Sequence, residues 1–331
     1  MYKQTLKAIM ALLFSGSATI GLAGNDTMLL HSGWKFRQAN RNEWHPATVP
    51  GVVHTDLLDN GLIEDPYYRL NERSLQWIDK EDWIYEVSFD AGALTRGYEH
   101  IRLEFLGLDT YADVFLNETQ ILTADNMFRR WAAEVKPLLK ERGNVLRVYF
   151  HSPINKALPQ YESLPYRYEA WNDQADNGGL AGKKLSPFTR KAGYHYGWDW
   201  GPRLVTSGIW RPVKLQGWNS LRLEDVFHHQ LEVSQETARV ETQVEIEAAA
   251  PVENAVITVS DGKRVLGSRS VQLHVGMNRV SVPFTIDNPK LWWCRGMGEP
   301  YLYTFRTAVE QSGRVLAEHS TQVGLLSLIH I

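Results

Sequence analysis

The stretch Ala238-Arg-Val-Glu-Thr-Gln-Val-Glu-Ile246 carries small or apolar side chains at its even-numbered positions and longer polar side chains between them. Successive side chains of a β-strand point to opposite faces of a sheet, so this pattern predicts a strand with one buried face. Similar alternation recurs along the chain, whereas helical periodicity is confined to short pieces near 53–58 and 135–139. The sequence therefore predicts an all-β fold. The predicted strands include 83–89, 100–105, 111–116, 144–150, 210–216, 225–233, 238–246, 255–259, 271–275, 279–284, 301–307 and 318–324.

The predicted strands fall into two groups, which indicate two consecutive β-sandwiches. About seven strands follow residue 220, and that number is typical of an immunoglobulin-like sandwich. The longer stretch before them suits a jelly-roll sandwich with long loops. Tryptophan usage changes at the same place, because ten of the twelve tryptophans precede residue 219. We predict a jelly-roll domain over 25–219 and an immunoglobulin-like domain over 220–325.

The composition excludes several classes of protein. Lysine and arginine number 35 and aspartate and glutamate 38, so the net charge of -3 argues against nucleic acid as a partner. Cys294 is the single cysteine, which excludes an intrachain disulfide and any multi-cysteine metal or redox motif. The sequence lacks a His-Glu-x-x-His motif, a phosphate-binding glycine loop and a serine-nucleophile elbow, so no cofactor and no metal is predicted.

The two ends of the chain have unusual sequences. Residues 1–23 combine two lysines, a short apolar core and small residues before position 24, which predicts a secretory signal peptide and export to the periplasm or the medium. The apolar run is too short to span a bilayer, and no membrane span is predicted elsewhere. The last residues, 326–331, form an apolar segment without a polar cap, which we interpret as a truncated or aberrant tail.

A long stretch from Pro153 to Lys191 has little strand patterning and is predicted to be a loop. It is followed by Tyr194-His-Tyr-Gly-Trp-Asp-Trp-Gly-Pro-Arg203, in which an acid lies between two indoles. Indole packs on the apolar face of a pyranose, and a carboxylate accepts hydrogen bonds from sugar hydroxyls. The alternative is an aromatic core cluster in which Asp199 pairs with Arg203. The spacing alone leaves both interpretations open.

The motif Gly197-Trp-Asp-Trp-Gly-Pro-Arg203, followed by Gly208-Ile-Trp-Arg-Pro-Val213, resembles the β-mannosidase branch of glycoside hydrolase family 2. That resemblance implies a galactose-binding-like jelly roll, an immunoglobulin-like domain and then a (β/α)8 barrel with two catalytic glutamates. It also implies that Asp199 binds hydroxyls of a terminal β-mannose, that Trp198 and Trp200 wall the pocket, and that the enzyme removes mannose from chain ends. Further similar segments are 49–56, 83–85, 107–114, 128–131, 289–293 and 299–303.

The same resemblance places the chemistry outside this sequence. A (β/α)8 barrel needs about 250 residues, so we expect the missing barrel and both catalytic glutamates to lie beyond residue 331. Two Asn-Glu pairs superficially match the acid/base site of such enzymes. We predict Asn117-Glu118 to be a hairpin turn and Asn71-Glu72 to be a polar loop. His228 and His229 are predicted to lie on opposite faces of one strand, where they cannot chelate a metal together.

Three functions therefore remain possible at this point. The chain is the non-catalytic N-terminal portion of an exported β-mannosidase, whose substrate is a β-mannoside oligosaccharide. Alternatively, it is a stand-alone carbohydrate-binding sandwich without hydrolytic activity. In the third case it is a structural or adhesive pair of sandwiches, and Asp199 contributes nothing but stability.

Overall fold

A computed structural model of the chain describes residues 26–262 and 264–326. They form two compact units, one spanning Thr27–Trp218 and the other containing the residues from Asn219 onward. The predicted signal peptide at 1–23 and the end of the predicted tail, residues 327–331, lie outside the described residues. Within the described residues, no helix is long and apolar enough to cross a membrane.

The N-terminal unit is a sandwich of a four-stranded sheet, in the order β1-β10-β5-β8, and a six-stranded sheet, in the order β3-β2-β4-β9-β6-β7. Its strands are β1 (Asp26–Leu29), β2 (Lys35–Gln38), β3 (His45–Pro46), β4 (Trp83–Phe89), β5 (His100–Phe105), β6 (Tyr111–Leu116), β7 (Thr119–Asp125), β8 (Trp131–Glu134), β9 (Asn144–Phe150) and β10 (Val213–Trp218). Its helices are α1 (Val53–Asp59), α2 (Asn71–Ser74), α3 (Gly92–Gly97) and α4 (Pro153–Ser163).

The core of this unit lies between the inner faces of its strands. In β9, every second residue from Asn144 to Phe150 is buried, as the alternation predicts. Aromatic side chains fill much of the core, and Tyr85 packs edge-on against Phe150 with ring centroids 5.7 Å apart. Burial of such side chains contributes about 1.5–3 kcal/mol each and is the main stabilising term in a domain without disulfides.

The prediction of a continuous loop from Pro153 was wrong, because α4 occupies its first eleven residues. Ser152 caps the helix by accepting a hydrogen bond from the Asn155 amide at 3.0 Å, and Pro153 occupies its first turn. Ile154 and Ala157 face the protein and join a small core with Tyr196. A serine followed by proline is a helix-start signal. It was masked by Pro159 inside the helix, a residue that helices rarely tolerate.

The C-terminal unit is also a two-sheet sandwich, with sheet orders β11-β12-β15 and β14-β13-β16-β17. These seven strands match the number predicted for an immunoglobulin-like domain, and in most cases they extend beyond the predicted bounds. They are β11 (Leu221–Val233), β12 (Thr237–Ala248), β13 (Val252–Asp261), β14 (Arg264–Leu273), β15 (Gly276–Asp287), β16 (Tyr303–Gln311) and β17 (Arg314–Val323). The all-β prediction is confirmed for both units.

Candidate functional site

The Trp-Asp-Trp segment forms a tight turn at the surface of the N-terminal unit. The Trp198 amide donates to the Gly201 carbonyl at 3.1 Å, and the Gly201 amide donates back to the Trp198 carbonyl at 3.4 Å. Gly197 enters the turn with a φ of 102°, a conformation that disfavours any side chain. A Cβ at Gly197 would also lie 2.8 Å from the side chain of Gln174. The backbone therefore requires glycine at the entry to this turn.

Asp199 and Trp200 lie at the tip of the turn. Trp200 is 81% exposed, and the carboxylate of Asp199 is exposed and forms no hydrogen bond or ion pair with the described residues. Trp198 is half-buried, and its ring centroid lies 6.0 Å from that of Trp200 at an interplanar angle of 49°. The tip thus presents two indoles and an unpaired carboxylate, which can accept hydrogen bonds from a ligand.

Arg203 holds the exit of the turn from inside the protein. Its side chain is fully buried, and Nη1 lies 2.6 Å from Oδ2 of Asp79 and 2.5 Å from Oε1 of Gln76. The backbone is held as well, because the Arg203 amide donates to Glu72 at 2.7 Å and its carbonyl accepts from Gln76 at 2.9 Å. The interpretation that pairs Asp199 with Arg203 is therefore wrong, since the guanidinium points inward to Asp79.

A second segment, residues 174–178, packs against the turn and its anchor. The side-chain amide of Gln174 donates a hydrogen bond to the Trp198 carbonyl. Gly178 allows the backbone to approach Arg203, since a Cβ there would lie 2.5 Å from the guanidinium carbon. Burial raises the pKa of Asp79, and the guanidinium of Arg203 limits the rise by favouring the charged carboxylate.

A buried polar cluster holds the backbone on both sides of the turn, because Lys191 precedes the turn and Thr206 follows it. Lys191 pairs with Asp109, and its ammonium also donates to the Thr206 carbonyl and hydroxyl at 2.9 Å each. Burial alone would raise the pKa of Asp109, but Lys191 keeps that pKa below its ordinary value. Burial, with a smaller effect of Lys191, lowers the pKa of His54 to about 3 and that of His195 to about 4. Both imidazoles are therefore neutral near pH 7.

The two Asn-Glu pairs and the adjacent histidines of the sequence analysis lie in ordinary elements of secondary structure. Asn117 and Glu118 form the two-residue turn between β6 and β7 with φ of 49° and 70°, which confirms the predicted hairpin. Asn71 and Glu72 were predicted to lie in a loop, but they begin the single-turn helix α2. His228 is buried and His229 exposed, so they lie on opposite faces of β11 as predicted. Within the described residues, no three His, Cys, Asp or Glu side chains cluster as metal ligands do.

The described residues thus form a jelly-roll sandwich that carries an exposed acid between two indoles, and an immunoglobulin-like sandwich. Residues 34–211 match the model of the glycosyl hydrolase 2 galactose-binding-domain-like family, and residues 221–325 match glycosyl hydrolases family 2. The chain belongs to glycoside hydrolase family 2.

Proteins similar in sequence to this chain include several that are named as β-mannosidases. The chain is 34% identical over 301 residues to a protein named Beta-mannosidase B from Thermothelomyces thermophilus, covering 89% of this chain and 34% of that protein. It is 32% identical over 305 residues to Beta-mannosidase B of Aspergillus terreus, again covering 89% of this chain and 34% of the relative. The chain thus spans about a third of the length of these relatives.

Solved structures are also similar to this chain. The crystal structure of a β-D-mannosidase from Dictyoglomus thermophilum matches with a TM-score of 0.78 and 37% identity, covering 91% of this chain and 36% of that one. An exo-chitosanase from Amycolatopsis orientalis matches with a TM-score of 0.66 and 17% identity, covering 91% and 34%. The second similarity shows the shared fold alone.

Proposed function

We propose that this chain is the N-terminal, substrate-binding portion of an exported, exo-acting β-mannosidase. Such an enzyme removes terminal β-D-mannose from oligosaccharides or glycoproteins. The observation that carries the proposal is the unpaired, exposed carboxylate of Asp199 on a turn fixed from inside by Arg203. The mannosidase relatives support the choice of sugar. No hydrolytic step is assigned to residues 1–331, because we place both catalytic glutamates in a barrel beyond them.

The proposed contacts follow from the chemistry of the turn. Asp199 accepts hydrogen bonds from hydroxyls of the terminal mannose, and each bond to a charged acceptor contributes about 1.5–3 kcal/mol. Trp198 and Trp200 cover the apolar face of the pyranose. A turn held at both ends loses little conformational freedom when the sugar binds, and such preorganisation favours affinity. In the complete enzyme, these contacts would close one side of the sugar pocket and so restrict binding to the end of a saccharide chain.

An aryl β-mannoside assay on the 331-residue chain tests the absence of catalytic groups. We expect no hydrolysis above the uncatalysed rate. Turnover that a single substitution within the chain abolishes would place the catalytic residues in these two domains and contradict the proposal.

Sugar binding by the turn is tested separately with β-1,4-mannobiose and the side-chain NMR signals of ¹⁵N-labelled tryptophan. We expect the signals of Trp198 and Trp200 to shift, and Asp199→Ala to abolish these shifts. Asp176→Ala is the matched control, because Asp176 is a second exposed acid on the neighbouring segment. Equal loss in both variants, or shifts unaffected by Asp199→Ala, would contradict the assigned role of Asp199.

The exposure of Asp199 and Trp200 also favours one alternative, a stand-alone carbohydrate-binding module. Such a module binds without any other domain, whereas an incomplete pocket binds weakly. Calorimetry with β-1,4-mannobiose distinguishes the two functions. Submillimolar affinity that Asp199→Ala removes supports the stand-alone module. Weaker binding supports the N-terminal portion of a β-mannosidase.

A further inference from the structure

The N-terminal unit has a cavity formed by β2, the turn that follows it and the segment around Trp77. The cavity has a volume of about 420 Å³. Ligand pockets in proteins commonly enclose about 300–1,000 Å³, so this cavity is large enough for one or two pyranose rings. Trp198, Asp199 and Trp200 do not line it.

Aromatic side chains form the apolar part of this cavity. Trp83 and Phe36 are buried beneath it, while Trp77 is 38% exposed at its wall. Trp77 packs on Trp83 with ring centroids 6.0 Å apart, and the Trp83 indole N–H donates to the Ile78 carbonyl at 3.0 Å. Trp77 therefore rests on a fixed aromatic layer and leaves part of its ring free to contact a ligand.

Polar residues that follow β2 also line the cavity, and the backbone of that turn is held in place. The Arg37 guanidinium donates to the carbonyls of Ala39 at 2.8 Å and Arg41 at 2.5 Å, which fixes the turn after β2. Asn42 and Glu43 lie on this turn and line the cavity with exposed side chains. Their amide and carboxylate groups supply both donors and acceptors, the combination that sugar hydroxyls require. Arg37, Arg41 and Glu43 line the cavity with charges of both signs, and the Arg37 guanidinium is already bonded to backbone carbonyls. The remaining pair of opposite charges, Arg41 and Glu43, favours a neutral ligand.

We propose that this cavity is an ancillary carbohydrate site, in which a pyranose unit of a neutral oligosaccharide packs on Trp77 and bonds to Asn42 and Glu43. The site is separate from the Asp199 turn and does not depend on the function proposed for that turn. It would hold a saccharide on the protein without any role in bond cleavage.

Titration of the 331-residue chain with β-1,4-mannotriose, followed by the side-chain NMR signals of its tryptophans, tests the proposal. We expect the Trp77 signal to shift. Because Trp77→Ala lacks that signal, the signal of Trp83, which also lines the cavity, reports binding in this variant, and we expect the affinity at this site to fall about tenfold or more, equivalent to about 1.4 kcal/mol. Trp171→Ala is the matched control, because Trp171 is 86% exposed and does not line the cavity. We expect that control to leave the Trp77 shift unchanged.

A second variant keeps the test valid if Trp77→Ala fails to fold. Asn42→Ala combined with Glu43→Ala alters exposed side chains alone, and we expect it to weaken the Trp77 shift while the thermal midpoint stays constant. A Trp77 signal that mannotriose does not move, or equal binding in the altered chains, would overturn the ancillary site. Shifts at Trp77 without shifts at Trp200 would contradict the proposed function and leave the ancillary site supported.

Discussion

The guanidinium of Arg203 lies 2.6 Å from the carboxylate of Asp79, and both side chains are buried. Asp199 lies four positions before Arg203, at the surface and without a partner among the described residues. Asp79 therefore anchors the turn through Arg203, whereas the carboxylate of Asp199 is available to bind a ligand. A surface turn held by a buried ion pair presents its tip in a fixed position.

Asp79→Ala should destabilise the N-terminal unit strongly. The substitution leaves the buried charge of Arg203 without its counter-ion, and breaking a buried pair in this way costs about 3–5 kcal/mol. Chemical denaturation monitored by tryptophan fluorescence measures the change. Asp199→Ala serves as the comparison and should change the free energy of unfolding by less than about 0.5 kcal/mol, as most surface substitutions do. A similar loss in both variants would show that Asp199 has a structural role.

Gly197→Ala should disturb the turn, and Gly201→Ala should not. At Gly197 the added Cβ meets Gln174 at 2.8 Å and the φ of 102° is unfavourable, so we expect a loss of more than about 1 kcal/mol. At Gly201 the nearest atom is 3.6 Å away, an ordinary contact. Thermal unfolding gives the stability of each variant, and acrylamide quenching reports the exposure of Trp198 and Trp200. Equal quenching and stability in both variants would contradict the requirement for glycine at 197.

Strand alternation predicted much of the fold because each sheet buries one face of its strands. The predicted bounds of β4, β5, β6 and β9 coincide with the observed ones. The helix α4 was not predicted. Its sequence carries a capping signal at Ser152 and, against a helix, an interior proline at Pro159. Local patterning thus identified elements with a regular period and failed where two local signals conflicted.

The candidate site was predicted in part. The sequence placed an acid between two indoles, and it also offered Arg203 as the neighbour that Asp199 would pair with. The actual partner of Arg203 is Asp79, which is 124 residues away along the chain. No local pattern links these positions, because the pairing depends on how distant segments fold together. The role of Gln174 was missed for the same reason.

His228 should make the C-terminal unit less stable in acid. Burial, with a smaller effect of His319, lowers the pKa of His228 from 6.5 to about 4. Between those values the unfolded chain binds a proton that the folded chain does not, so the free energy of unfolding falls as the pH drops from about 6.5 to 4. The slope is at most about 1.4 kcal/mol per pH unit for one site.

His228→Gln should reduce that slope, because glutamine does not titrate and can still bond to Thr242, which lies 2.8 Å from His228 in the unaltered chain. Denaturation of the unaltered chain and the variant at pH 4.5, 5.5 and 7 gives the comparison. His229→Gln is the matched control, since His229 is exposed on the other face of the same strand. An acid sensitivity that His228→Gln leaves unchanged would exclude this histidine as its source.

Lys191→Met should cost the N-terminal unit about 3–5 kcal/mol, because it leaves the buried carboxylate of Asp109 without its counter-ion. Adding Asp109→Leu should recover part of that loss, since an apolar pair can replace a buried ion pair. Recovery is incomplete because the hydroxyl of Thr206, which donates to Asp109 at 2.6 Å, then loses its acceptor. Arg190→Met is the control: its pair with Asp125 is exposed, so we expect a change below about 1 kcal/mol. Additive effects of the two core substitutions in a double-mutant cycle would contradict the coupling between Lys191 and Asp109.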